Sequence, residues 1–586
     1  MRKVLTIAIA MALLIPALSF AQTVVKVPSD AFGGNGGNLN NAVAAAVTAG
    51  TLSNTVFELE PAGYYIITGT IEVPAGKKLT ITAPEPGNTA ATALPQLLWT
   101  SAAGVSTANF ITAFGDLSLK NIWFFYANVL GDQRGSPIKL ADDPGKTKKA
   151  DFEGCLFEYS NVGNEGAAIG VTCASVDITV KNCYFRNNVD AHFRYYGRAV
   201  AFPYSTTGWG IKSILFENCT FANMGYVYMQ EAAEYGLDVR FNHCTFLNVV
   251  MYALESGWWK TMATTNCLFV NTFMFGDIPA VTGKADQNGG TIRIDSVKNF
   301  GFVPPFTEAD RKIYFGYNSY AITTWLKDWM QNSPYSLNMK KTRQNDQVPV
   351  PQPMLSKATL RFFDTVDVAT KKKVFPLMTR ENNIDGVEPG FVLEPTNLDS
   401  LKLFLNKKWS DNTDANWAWK IKENALIGKW PNEENLSYSN ATLKAAGMSK
   451  FPLGDLYHWY PTQYTAWKAQ LATENKFIQD RLDKGIPVVG IAKDDNSIPS
   501  EFSLSQNYPN PFNPTTTIKF SVPVTGHITL KVYDMLGQLV ATLSDGIHQA
   551  GNYNASFDGS NLASGIYVYR LQSESVTISK KFVLMK

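Results

Sequence analysis

Between about residues 24 and 320 the apolar positions follow no helical stripe but come in short bursts that recur. The pattern is apolar, x, Asn, Cys, x, Phe. It stands as Leu119-Lys-Asn-Ile122-Trp-Phe124, Phe152-Glu-Gly-Cys155-Leu-Phe157, Val180-Lys-Asn-Cys183-Tyr-Phe185, Phe216-Glu-Asn-Cys219-Thr-Phe221, Phe241-Asn-His-Cys244-Thr-Phe246 and Thr264-Thr-Asn-Cys267-Leu-Phe269. Irregular intervals of about 20 to 40 residues, with one short strand in each, predict a solenoid of constant core and variable loops. The fourth and sixth positions lie two apart, so in a strand both side chains face one side, here the interior. The third position holds Asn121, Asn182, Asn218 and Asn266, with Gly154 and His243 in two rungs. These residue types tolerate a left-handed backbone, which a sharp corner needs. Asn187, Asn223, Asn248 and Asn271, four residues after the Cys, predict a second corner, with amides able to hydrogen-bond along the stack.

The pattern changes outside this stretch. Leu39, Val43, Ala46 and Val47 form an apolar stripe on a short helix, opened by Asn38 and closed by Gly50, suited to covering the open end of a first coil. Val56–Leu59 and Gly69–Ile81 read as the opening rungs. From 321 to 493 the repeat is lost and eight of the 13 Trp gather: Trp325, Trp329, Trp409, Trp417, Trp419, Trp430, Trp459 and Trp467. Thr324–Met330 and Tyr464–Leu482 have helical spacing, and Pro349-Val-Pro-Gln-Pro353 is a stiff extended stretch. The aromatic residues suit packing of this segment onto the solenoid better than stacking on sugar rings, since large aromatics dominate ordinary cores. A polar linker, 494–498, follows. Then come six short strands with turns every eight to twelve residues: Thr516–Val522, Ile528–Asp534, Gln538–Leu543, Gly551–Phe557, Gly565–Leu571 and Thr577–Leu584. In 499–586 they predict a small Ig-like β-sandwich. The fold class is therefore mainly β: a solenoid over 22–320, an aromatic-rich mixed segment over 321–493, and a C-terminal sandwich.

Composition adds the compartment. Met1-Arg-Lys3 is positive, Val4–Leu18 is apolar, and Ser19-Phe-Ala21 is a small-x-small site, so residues 1–21 read as a cleaved signal peptide. The net charge of +2 and the lack of any basic run exclude a nucleic-acid partner as an expectation. Six Cys in an exported chain raise the question of disulfides. Five of them (Cys155, Cys183, Cys219, Cys244 and Cys267) share one column, where parallel stacking points their Cβ atoms the same way. That favours a buried ladder of free thiols over bridging, and no His or carboxylate completes the column as a metal site.

The Asn, Cys and Phe columns together resemble the right-handed parallel β-helix of the pectate-lyase-like superfamily. A more specific resemblance lies at the C-terminus. Asn507-Tyr-Pro-Asn-Pro-Phe-Asn-Pro514, Val532-Tyr-Asp-Met-Leu-Gly537, Leu562-Ala-Ser-Gly-Ile-Tyr567 and Lys580-Lys-Phe-Val-Leu-Met-Lys586 are similar to the type A sorting domain of type IX secretion. Asn507, Pro509, Pro511, Gly537, Gly565, Lys580 and Lys581 carry those motifs. The resemblance implies recognition by an outer-membrane translocon, removal by a sortase and attachment to surface lipopolysaccharide, hence a secreted, cell-surface protein.

Parallel β-helix enzymes act on uronate polysaccharides either as Ca²⁺-dependent lyases with an Arg or Lys base or as hydrolases with paired Asp. The resemblance implies motifs that this chain lacks: Asn-Thr-Asp with Gly-His-Gly, Trp-Ile-Asp-His, and Arg-x-Pro-x-x-Arg. What remains on the rung insertions is Asp190, His192, Arg194 and Arg198, with Glu231, Glu234 and Glu255 on following rungs. In a lyase, Arg194 or Arg198 would be the base and the carboxylates would hold Ca²⁺; otherwise the cluster is a solvated loop face. No two of these residues have diagnostic spacing, so the reading favours a non-catalytic adhesin or polysaccharide-binding protein without a cofactor. A secreted polysaccharide lyase or hydrolase is the alternative.

Overall fold

A computed structural model describes residues 22–585 apart from 32–33, 100–108, 126–135, 159–166, 190–196, 203–208, 230–233, 256–257, 279–289, 298–302, 343–347, 371, 396–397, 411–429, 486–490, 496–498, 549 and 560–561. Residues 1–21 lie outside the described residues, and the expected signal peptide with them.

One turn of the chain shows how the repeat builds the fold. Val176–Lys181 lies in a first sheet; Asn182, at φ 55°, turns the corner; Tyr184–Asn188 runs in a second sheet; and Arg198–Ala201 lies in a third. Each strand pairs in parallel with its counterparts one turn before and after, so Phe185 stands beside Phe157 on one side and Phe221 on the other. Repetition gives parallel sheets of twelve, ten and eight strands, a solenoid. The first corner is left-handed at Asn121, Gly154, Asn182, Asn218, His243 and Asn266, and the second at Asn187, Asn223, Asn248 and Asn271. Along the second corner the side-chain amides form a ladder. Asn223 Nδ2 donates to Asn187 Oδ1 (3.0 Å), Asn248 Nδ2 to Asn223 Oδ1 (3.3 Å) and Asn271 Nδ2 to Asn248 Oδ1 (3.1 Å). Buried amides are thus satisfied by their own repeat.

The interior is the stacked column. Phe124, Phe157, Phe185, Phe221, Phe246 and Phe269 lie ring over ring at centroid spacings of 4.4–5.1 Å. All six cysteines are buried and free. Burial pushes the thiols of Cys183, Cys219 and Cys244 well up, so they act as small apolar groups.

The helix Asn38–Thr48 buries Leu39, Val43 and Ala46 at the first end of the stack; Gly37, not Asn38, occupies its N-cap, at φ 99°. The parallel stacking continues beyond residue 320. After Ser319–Ala321 the helices Thr324–Asn332, Pro334–Thr342 and Lys357–Asp364 intervene. Met378–Glu381 and Ile384–Asp385 then add a last rung around a left-handed Asn382. The extended stretch near Pro353 lies along the third sheet, with Ile292 and Leu355 bridging in parallel. Leu326, Met330, Phe362, Phe404 and Trp409 join the solenoid core at this end.

Residues 430–484 form a strap over the outside of the stack. Trp430, Tyr438, Leu453, Leu456, Tyr460 and Trp467 pack on the outward column Trp123, Leu156, Tyr184 and Leu268 of the second sheet. The strap is also bonded turn by turn. Trp430 Nε1 donates to Gly87 O, Arg186 pairs with Glu158 of its neighbouring turn and Glu434 of the strap, and Thr220 Oγ1 donates to Asp455 Oδ2 (2.7 Å). The helix Leu471–Lys484 crosses onto the first sheet, where Lys312 meets Asp483 (2.7 Å) and Arg481 meets Glu381 (2.8 Å).

Under that helix Glu474 is buried and accepts from Asn242 Nδ2 (2.7 Å) and Trp467 Nε1 (3.0 Å), with His243 Nε2 3.6 Å away. Burial alone would raise this carboxyl, but His243, Asn242 and Trp467 together hold it below its ordinary value. A depressed carboxyl stabilises the fold above its unfolded value, about 4.3, and that contribution is lost as pH falls through the folded value. We therefore expect the strap helix to loosen in acid below about pH 4, and Glu474→Gln to cost about 1–2 kcal/mol at neutral pH. Amide exchange of residues 471–484 read across pH checks both; protection unchanged by acid or by the substitution counts against this role.

The C-terminal region is two four-stranded antiparallel sheets packed face to face. One is ordered Ile491–Asp495, Gly551–Asp558, Thr515–Val522, Ser503–Leu504. The other is Leu539–His548, Gly526–Tyr533, Gly565–Gln572, Thr577–Leu584. Inward residues such as Ile528, Leu530, Val532, Tyr569 and Phe582 fill a core of their own. Part of the expected linker is structured: Ile491–Asp495 pairs with Gly551–Asp558 and forms an edge of the sandwich. Backbone pairing, indifferent to the polar character of Lys493-Asp-Asp495, accounts for the difference.

Candidate functional site: the loop face and the C-terminal domain

The rung insertions expected to carry chemistry are only partly described. Asp190, His192, Arg194 and Glu231 lie outside the described residues, as does the side chain of Glu255, whose backbone pairs with Arg293 in the third sheet. Arg198 and Glu234 are both fully buried. Arg198 opens the third-sheet strand Arg198–Ala201 beside Ala167, so it belongs to the stack and not to a solvated loop. Among the described residues there is no cluster of three His, Cys, Asp or Glu able to hold a metal ion.

The tryptophans of the aromatic segment point inward. Trp467 is buried, Trp409 Nε1 donates to Phe275 O (2.9 Å), Trp459 Nε1 to Thr220 Oγ1 (2.9 Å) and Trp329 Nε1 to Lys402 O (3.1 Å). Trp417 and Trp419 lie outside the described residues. Sequence reasoning missed the polar groups that fix the strap, Asp455 and His458 among them. Asp455 caps the short turn Leu456–Trp459, accepting from His458 N (3.1 Å) and from the His458 ring at Nδ1 (2.5 Å). An Asp three residues before a His was the available signal.

The sandwich brings the four C-terminal motifs together. Asn507 is buried, and its Nδ2 donates to Pro509 O and to Thr516 Oγ1, both at 3.0 Å. Its backbone N–H donates to Tyr569 Oη (3.0 Å), which in turn donates to Ser505 O (2.8 Å). The loop after Asn507, which includes Pro509 and Pro511, is stitched to the final strand. Phe512 N donates to Val583 O (3.0 Å), Met585 N to Phe512 O (3.0 Å) and Val583 N to Asn510 Oδ1 (2.9 Å). Phe512 is buried against Phe557 and Phe582. Gly537, at φ 82°, closes the turn Asp534–Gln538, a backbone that a side chain would strain. Gly565 faces Leu584 at the start of its strand, while Lys580 and Lys581 sit on the outer edge strand Thr577–Leu584. Lysines on an open edge keep it from pairing with other chains. The loop after Asn507 and the last strand therefore depend on each other.

Comparison with curated proteins returns no match. Residues 506–585, the span these four motifs hold together, match the family of secretion system C-terminal sorting domains.

Proposed function

We propose that this chain is a surface-displayed solenoid whose loops bind an acidic polysaccharide. The sorting domain implies secretion and surface attachment through the type IX machinery; the rest is our reading. Residues 1–21 would deliver the chain to the periplasm, a sortase would remove the Ig-like sandwich, and lipopolysaccharide would anchor the mature right-handed β-helix. One observation carries the binding role. From Asp116–Lys120 onward the corner from first to second sheet takes two residues, as Asn182 and Cys183 do between Lys181 and Tyr184, whereas the earlier connection from Lys78–Thr82 to Gln96–Trp99 is longer. The connections flanking the third sheet vary widely, from Cys173–Ser175 to the span between Thr272 and Ile292. A stack whose first-to-second corner is constant over most of its length while the loops beside the third sheet vary is a scaffold for recognition. The test is binding of the purified chain to polygalacturonate and alginate, with and without Ca²⁺, while following unsaturated product by absorbance. Binding without product is the expected result. Product formation would make the chain a lyase, and binding to neither polymer would remove the proposal.

A further inference from the structure

The first strand of the solenoid starts where export would cut the chain. Ser19-Phe20-Ala21 ends the signal peptide read from the sequence, and the next residue is Gln22. Gln22 is exposed, and the strand Thr23–Val27 begins one residue later, at the edge of the twelve-stranded sheet. A cut after Ala21 therefore leaves no tail. It sets a new α-amine directly at the start of an ordered strand. That strand pairs in parallel with Thr55–Leu59, and near its free end Val24 is 55% exposed. Its far end is held, with Val27 buried and its carbonyl accepting from Tyr65 Oη (2.7 Å). Fraying and trimming of this edge thus enter at residue 22, as they do at chain ends generally.

We propose that Gln22 becomes the mature N-terminus and closes on itself as a pyroglutamyl lactam, a modification that rests on the signal-peptide reading. The neutral α-amine, whose conjugate acid ionises at about 8, attacks the side-chain carbonyl carbon Cδ of the same residue. A new N–C bond closes a five-membered ring, the carboxamide C–N bond breaks, and a proton of the amine passes to the departing nitrogen, which leaves as ammonia. No oxidant or cofactor is consumed. Amine and carboxamide belong to one residue, so the step is intramolecular and needs no partner to position it. The ring removes both the positive charge and the free amine from the outermost strand. Aminopeptidases require that amine, so the lactam shuts the end at which the first strand of the stack could be trimmed away.

The test reads the N-terminal peptide of the full chain, exported by a host that carries the machinery, by mass spectrometry. Free amines are labelled on intact cells before extraction, which blocks any ring from forming afterwards. We expect a peptide that begins at residue 22, carries no label on its α-nitrogen and is lighter than its sequence by one ammonia. A labelled α-amine on Gln22 overturns the lactam and leaves the cut in place. A peptide that begins elsewhere, or an uncut chain, overturns both. Gln22→Ala keeps the small-x-small site and the strand but has no carboxamide to close, so its α-amine should take the label in full. Under a broad-specificity aminopeptidase the variant should lose residue 22 and then residues of the strand, while wild type loses none. Equal trimming of the two overturns the protective role of the ring.

Discussion

We expect a chain ending at residue 490 to fold its solenoid and strap yet to accumulate in the periplasm, with surface display abolished. The sandwich core is built from its own residues, Leu504 to Leu584, and shares none with the solenoid core. Separate cores make separable units. The cut belongs before Ile491 because Ile491–Asp495 pairs with Gly551–Asp558. A graft of 491–586 onto an unrelated periplasmic protein therefore keeps that edge covered and should carry it to the surface. Removing only Lys580–Lys586 should block display as completely. It takes Phe582 and Leu584 from the core and strips Phe512 of both backbone partners. Loss of Phe582 alone is worth about 3–5 kcal/mol, against roughly 5–15 kcal/mol for a whole domain. Cell fractionation with surface proteolysis checks the set; a truncated chain found at the surface would show that the domain is not the export signal.

The second large effect lies in the aromatic column. Phe246 is fully buried, stacked on Phe269 at 4.4 Å and on Phe221 at 5.1 Å. Phe246→Ala opens a cavity between turns that the flanking backbone, tied by parallel pairing on both sides, is poorly placed to close. We expect a loss of about 3–5 kcal/mol in denaturant unfolding, with less for Phe124, which has a stacked ring on one side only. Equal losses at both positions would mean that the ring is felt singly and not as part of a stack.

The core of the solenoid was legible because corners are demanding. A left-handed residue, a small buried thiol and a ring recur at each corner from first to second sheet between Gly154 and Asn266, so there the columns mark both strand and register. Legibility failed where chemistry is less restrictive. The corner at Tyr317 and the last rung around Asn382 use the same backbone without the Cys and Phe, and the last rung follows a helical insertion. Third-sheet strands such as Arg198–Ala201 lie between loops of variable length, so their aligned apolar column, Ile138, Ile169 and Val200 among it, recurs at no regular spacing in the sequence. Ile491–Asp495 joins its sheet through main-chain bonds, which leave little mark on side-chain pattern. For the candidate site, charge on an insertion suggested exposure, yet Arg198 and Glu234 are interior. Hydrophobic pattern reports which residues can be buried, and long charged side chains with partners break that rule.

The strap changes how the molecule bears tension. In a bare stack each rung touches only its neighbours, so a pull at one end peels rungs off singly. Here one segment is fastened near the start of the stack, at Gly87 through Trp430, and near its finish, at Glu381 through Arg481. A rung cannot leave without breaking bonds to a segment that also holds its distant relatives. Under a pull along the stack we expect the solenoid to resist as one body, yielding in a single large event in place of a gradual unzipping.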